Sequence, residues 1–341
     1  MDGTSYPGLF QTDAWQTAWW SEWGSTTGFQ LVKEQGFGRS GIYLDCYRYK
    51  RVIPIRCLQF VGTNYRRLST PRTEYNTLIG RDGHLTDGAK ALRELLLEAP
   101  WDEAVFRDLR GDREEKQLLE ELAKECGWLF RTVARDTAYA VKTVGSFSDY
   151  LRALGSSTRL RLYNRRKVLE SCGDIRVTNA WPDQVDDFFE RLNRFHSKRW
   201  GQPCFNEASV RFHKAFLERV GKEGGVPKLS ELTCDGEVIS QLYNVEYLGC
   251  LYNIQSGFVE GFHKKIALGT LHIGYSLEEA FESRDVNVFD MLAGQGKNEN
   301  YKARMATCSQ TLESVMLVQS PVLKFLYGLK EFLAKRHRLI G

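Results

Sequence analysis

Phe289 to Lys302 reads FDMLAGQGKNENYK. The apolar run VNVF leads into Asp290, three more apolar residues follow, and a polar segment with Gly294 and Gly296 closes on Tyr301 and Lys302. A buried strand that carries a carboxylate and then opens into glycine suggests a phosphate loop. The spacing rejects one. A P-loop needs Gly-x-x-x-x-Gly-Lys-Ser/Thr, but Met291 stands where the first glycine belongs and Asn298 follows Lys297. The stretch therefore reads as a strand whose glycines turn the chain so that Tyr301 and Lys302 return toward Asp290.

The rest of the chain supplies the setting. Its 341 residues are ample for two domains. With 42% hydrophobic and 26% charged residues the composition is that of a globular protein, and a net charge of +4 does not by itself imply nucleic acid. Eight scattered cysteines form no CxxC pair, which argues against a zinc ribbon. The six histidines show no HExxH or similar spacing, so no metal is expected. No secretion leader is read in MDGTSYPGLF. No apolar run nears the ~20 residues that span a bilayer. A reducing cytoplasm is the expectation; the oligomeric state is not legible.

Trp15, Trp19 and Trp23 recur every four residues on one helix face, with Asp13 as a possible cap. GIYLDCYRY and VIPIRCLQFVG alternate as strands, and Pro54 places the second at an edge or a bulge. Helices are expected over 87–99 and Glu114–Cys126, with strands at AVFRDL and RTVARDTAYAVKT. Beyond residue 145 come SFSDYLRAL, a basic helix RLRLYNRRKVLESCG, a strand IRVTNAW, helices at about 182–199 and 206–222, and a three-strand meander over 226–258 with Asp235-Gly236 as its hairpin turn. LGTLHIGYSLEEAFES reads as a helix, VNVFDML as a strand, ARMATCSQTLESVMLVQ as further strand, and SPVLKFLYGLKEFLAKRHRL as a closing helix with Ser320 and Pro321 at its start. Strands and helices alternate, which predicts an α/β sandwich. The two halves share a similar order, predicting domains at 1–145 and 146–341.

The ordered set RLYNRRKVLESCG, FHSKRW, LSELTCDGEVISQLYNVEYLGCLYNIQSGF, LGTLHIGYSLEEAF and VFDMLAGQGKNENYK resembles the cellulose-biosynthesis-type acetyltransferase family of the GNAT superfamily, a family similar to the Fem-type aminoacyltransferases. FQTDAWQTAWWSEWG and PRTEYNTL extend the resemblance over most of the chain. It implies tandem GNAT-like domains with mixed central sheets flanked by helices. The first would shape the acceptor cleft and the second would carry the donor. It also implies transfer from acyl-CoA, acetyl-CoA foremost, to an amine.

Several residues then take expected roles. Backbone amides at Leu268, Gly269, Thr270 and Leu271, where a helix begins, would hold the donor phosphates, because unpaired N–H groups and the helix dipole favour an anion. Lys264 and Lys265 would add charge, although the usual basic-x-x-Gly-x-Gly/Ala spacing is not kept. The resemblance makes Asp290 the group that orients or deprotonates the acceptor and Tyr301 the acid for the departing thiolate. The plain alternatives are an aspartate that receives loop amides and a packing tyrosine. Lys302 would pair with Asp290 or hold a substrate anion. Arg165, in the basic helix, suits phosphate or carboxylate. His196 and Trp200 share a helix face with Arg199 beside them and form a candidate substrate wall. Glu74 and Tyr75, with Arg72, lie in a loop that could reach the acceptor. An aminoacyl-tRNA donor, or a non-catalytic module that binds a glycan precursor or nucleic acid, is the competing expectation.

Overall fold

The computed structural model describes residues 8–37, 40–77, 85–111, 114–294 and 297–340. In chain order the first part holds α1 (Asp13–Trp23), β1 (Phe29–Phe37), β2 (Ser40–Tyr49), β3 (Ile53–Phe60), α2 (Leu85–Glu98), β4 (Glu103–Arg110), α3 (Glu115–Glu125) and β5 (Leu129–Lys142). Next come α4 (Phe147–Ala153), α5 (Ser156–Arg159), a π-helical turn (Leu160–Asn164), α6 (Arg166–Glu170), β6 (Ile175–Asn179), α7 (Val185–Trp200) and α8 (Glu207–Val220). The meander β7 (Val226–Cys234), β8 (Glu237–Tyr247) and β9 (Cys250–Phe258) precedes α9 (Leu268–Glu282) and β10 (Val288–Ala293). The chain ends on α10 (Lys297–Met305), β11 (Cys308–Val318) and α11 (Pro321–Ile340).

Contacts divide it into two compact units, 1–136 with 311–341 and 137–310. The division falls at Thr137 rather than near residue 145, and the last strand and helix rejoin the first unit. In the first unit β1, β2 and β3 pair antiparallel, β3 pairs parallel with β4, and β4 pairs antiparallel with β11. Pro54 lies where β3 has only β2 beside it, since β4 joins only at Cys57–Gln59, so its missing N–H costs no ladder bond. Trp15 and Trp19 of α1 are fully buried and Trp23 nearly so, which bears out the aromatic face. The cap is Thr12 rather than Asp13: its hydroxyl accepts the Trp15 N–H at 3.2 Å.

In the second unit β6, β7, β8 and β9 form an antiparallel run, β9 pairs parallel with β10, and β10 pairs antiparallel with β5. Asp235 and Gly236 both take left-handed backbone, as the hairpin reading requires. Val141, Leu242, Leu251, Ile273, Leu277, Phe289 and Met291 fill one core between α9 and the sheet. The basic helix is not continuous. A π turn separates α5 from α6 and faces α9. There a Cβ on Gly274 would stand 2.0 Å from the Leu162 carbonyl oxygen, so only glycine lets the two backbones approach. Gly274→Ala is expected to destabilise this unit by about 1–3 kcal/mol, toward the upper end because the obstacle is main chain; urea unfolding followed by circular dichroism checks it.

Candidate active site

The parallel ladder between β9 and β10 is short. Val288, Phe289 and Asp290 pair with Cys250, Leu251 and Tyr252. Past Tyr252, β9 runs on to Phe258 with partners on β8 alone among the described residues. The two strands therefore part at Asp290, and six residues of β9 border the opening.

β10 turns away through a bulge. Its register against β5 steps from Asp290↔Ala140 to Ala293↔Ala138, one residue extra on β10. Leu292 takes φ +59°, a left-handed conformation rare for a branched side chain. Two buried polar side chains hold it there. Asp290, 1% exposed, accepts the Leu292 N–H on Oδ1 at 2.7 Å. Lys302 Nζ donates to the carbonyls of Met291, Leu292 and Ala293 at 2.6, 3.1 and 3.0 Å. The return of Tyr301 and Lys302 is made by a helix, α10, rather than by the glycines alone. Gln295 and Gly296 lie outside the described residues.

α9 starts at the far end of β9. Its N-cap, Ala267, offers no side-chain acceptor. The first amide with a helical partner is that of Leu271, on the Ala267 carbonyl at 2.9 Å. The amides of Leu268, Gly269 and Thr270 precede it and point out of the helix end, where the dipole favours an anion. A Cβ on Gly269 would lie 2.5 Å from the Phe258 ring, so glycine brings this end against the last residue of β9. Arg199 sits over the same Phe258 ring at 4.8 Å. Lys264 and Lys265 are exposed on the preceding turn.

The helix is anchored from below by polar groups. His272 is fully buried between Ser240 Oγ at 2.9 Å and Ser230 Oγ at 3.0 Å, and burial lowers its pKa to about 3. One ring nitrogen donates and the other accepts, which suits the neutral ring. Asn253, the first β9 residue past the parting, donates to Asn244 Oδ1 at 2.7 Å, and Asn244 donates to Ser276 of α9 at 3.1 Å.

α7 supplies a wall. His196 Nε2 lies 2.9 Å from the Ser256 carbonyl of β9. A carbonyl only accepts, so Nε2 carries the proton and Nδ1 the lone pair. Burial lowers the His196 pKa, the Ser256 carbonyl opposes that, and Arg199 adds to it. Burial raises the Tyr301 pKa while Arg199 draws it down, so the phenol is neutral at physiological pH. Trp200 is 58% exposed and touches Arg199.

The structure thus brings His196, Arg199, Tyr301 and the start of α9 around one opening, with Asp290 and Lys302 shaping its rim. Glu74 and Tyr75 belong to the first unit and are buried there. The Glu74 carbonyl accepts Gln11 Nε2 at 3.2 Å, and Arg72 is bound to Asp108 and Asp136. Arg165 closes the π turn, whereas its neighbour Arg166 is the inward one, paired with Glu278 and stacked 3.8 Å over Tyr275. Phe258, Asn253 and His272 were missed in the sequence, where each reads as ordinary strand or helix filling. Among the described residues no group of three or more His, Cys, Asp or Glu could hold a metal ion.

The second unit thus combines a meander, a parted parallel strand pair and, between those strands in sequence, a helix with no side-chain cap. Residues 156–303 match the acetyltransferase (GNAT) domain family. The match lies within the second unit and covers less than half of the chain, so it is a likeness of that unit. The whole chain is similar in fold to the crystal structure of FemX, at TM-score 0.60 and 10% identity over 95% of this chain and 96% of that one. It is also similar to L-PGS from Bacillus licheniformis, at TM-score 0.50 and 12% identity over 97% and 98%. A third likeness is the C-terminal domain (DUF2156) of a putative lysylphosphatidylglycerol synthetase from Agrobacterium fabrum, at TM-score 0.51 and 9% identity over 95% and 93%. At such identities the likeness is one of fold. No curated protein sequence matches. No helix among the described residues is long and apolar enough to cross a membrane.

Proposed function

We propose that this chain is an N-acyltransferase of the cytoplasm that moves an acyl group, acetyl foremost, from acyl-CoA to an amine by direct attack. The observation that carries the reading is the parting of β9 from β10 beside the uncapped start of α9. The donor's pyrophosphate would lie on the amides of Leu268, Gly269 and Thr270, with Lys264, Lys265 and Arg199 supplying charge. Its thioester would lie along the open edge of β9, where main-chain N–H groups can hold the carbonyl oxygen as charge develops.

The acceptor nitrogen attacks the thioester carbon, a tetrahedral oxyanion forms, and the C–S bond breaks. Tyr301 donates its proton to the departing thiolate, a role its burial prepares by keeping the phenol neutral. The amine's proton passes to His196 Nδ1, and Asp290 orients the acceptor while fixing the bulge. Trp200 forms an outer wall of the acceptor side. Placing the chain in the cellulose-biosynthesis-type branch rests on the ordered segments of its second half. Arg165 would serve a more distant acceptor anion.

The test is CoA release from acetyl-CoA and longer acyl-CoAs across a panel of amines. Tyr301→Phe is expected to lower kcat by about 10²-fold or more with little change in KM. An unchanged kcat removes Tyr301 from the mechanism. Transfer from aminoacyl-tRNA alone would replace the donor, and no transfer from either would leave a binding module.

A further inference from the structure

The first unit holds a cleft of about 650 Å³ lined by Thr27, Cys46, Tyr47, Arg48, Tyr49, Lys50, Arg66 and Arg67. Four of these are cations and none is an acid. Two of the arginines are set in place from behind. Arg66 meets Glu103 at 2.5 Å and Arg67 meets Asp45 at 2.8 Å, and both carboxylates are essentially fully buried. Arg66 also donates to Tyr47 Oη at 2.7 Å, and Arg67 to the Thr27 carbonyl at 2.8 Å. Four cations against two carboxylates leaves two positive charges. They reside on Arg48 and Lys50, which are exposed and, among the described residues, have no carboxylate within ion-pair distance.

The backbone supports the same reading. Lys50 and Arg51 form the tip of the β2–β3 hairpin with φ +50° and +64°. The loop from Tyr49 to Ile53 has three residues, and at its two consecutive left-handed positions Asn or Gly is the favoured choice. Two long cations there are a poor choice for folding. Strain of this kind is retained where the side chains serve a purpose.

We propose that this cleft binds a small phosphorylated compound through a di- or triphosphate group. Guanidinium forks match phosphate oxygens in pairs. The volume lies in the range of small-ligand sites rather than polymer grooves. Arg66 spends both terminal nitrogens on Glu103, Tyr47 and Tyr327 and Arg67 is held by Asp45 and Thr27, so these two line the floor while the exposed Arg48 and Lys50 meet the phosphates. This site is separate from the donor reading and stands or falls without it.

The experiment is calorimetric titration of inorganic pyrophosphate, then of a nucleoside diphosphate, into the full chain at about 100 mM salt, where exposed charges are screened beyond about 10 Å. Arg48→Glu with Lys50→Glu is expected to weaken binding by about tenfold or more. Lys264→Glu with Lys265→Glu, an equal charge change in the second unit, leaves this binding event in place. If the acidic pair disturbs folding by circular dichroism, Arg48→Gln with Lys50→Gln answers the same question. Pyrophosphate binding unchanged in the Arg48 and Lys50 variants would overturn the proposal. So would equal competition by sulfate and chloride, or binding of an RNA oligonucleotide through Arg48 and Lys50 with none of pyrophosphate.

Discussion

Lys302→Met is expected to cost the second unit about 3 kcal/mol and to abolish acyl transfer. The ammonium is 9% exposed and meets three consecutive carbonyls of β10. Hydrogen bonds to a charged donor contribute more than neutral ones, and acceptors stranded in the interior lose their hydration as well. Methionine fills similar volume, so the effect isolates the lost bonds rather than a cavity. The consequence for activity follows from the geometry. Asp290 and Lys302 clamp both sides of the bulge in which Leu292 takes its left-handed backbone. Without the clamp β10 can regain a regular ladder and narrow its distance from β9. Urea unfolding gives the stability change, and amide hydrogen exchange at Leu292 and Ala293 shows whether the loss is local. A variant as stable and as active as the parent would mean that the bulge holds itself.

The second large effect is loss of stability in acid. His213 and His272 are fully buried, and burial lowers both pKa values to about 3. In the unfolded chain a histidine titrates near 6.5. Below that pH the unfolded chain takes up protons that the folded chain refuses, so stability falls as pH falls, continuing toward about pH 3. At pH 5 each histidine accounts for about 2 kcal/mol, or about 4 kcal/mol together. Asp45 in the first unit works the other way. Burial raises its pKa, so its folded form binds a proton more readily than its unfolded form. The acid-labile part should therefore be the second unit. Thermal melts from pH 7.5 to 5, followed through probes in each unit, check this. His272→Gln can retain a donor and an acceptor for Ser230 and Ser240 and should remove about half of the slope. A melting temperature flat across that range contradicts the account.

Much of the second unit was legible because its signals are local. Asp235-Gly236 dictates a tight turn, and the meander alternates on either side of it. Other parts depend on contacts that sequence does not display. The segment NENYKARM has too little apolar periodicity to read as a helix, yet α10 forms there and carries Lys302 onto carbonyls that no motif announces. FQLVKEQGF lacks a clean alternation, and β1 went unread. The basic stretch over 159–172 has a helical pattern throughout, but the close approach of Leu162 to Gly274 accompanies a π turn inside it. The seam escaped because β5 runs for 14 residues without a break through the division, and because β11 and α11 return to the first unit. In the site, the sequence pointed to the segment with His196, Arg199 and Tyr301. It read Lys302 as a partner of Asp290 or of a substrate anion, and did not foresee its bonds to the main chain of β10. It also passed over Phe258, whose role appears only when Gly269 and Arg199 meet the same ring.

Calorimetric titration of acetyl-CoA into the full chain and into Gly269→Val tests the central claim most directly. The parent should bind with a Kd between about 1 μM and 1 mM. Valine at position 269 forces the Phe258 ring away from the start of α9 and should weaken binding by about tenfold or more, a loss of about 1.4 kcal/mol. No binding of acetyl-CoA to the parent, or equal binding by the parent and Gly269→Val, would contradict a donor site at the start of α9.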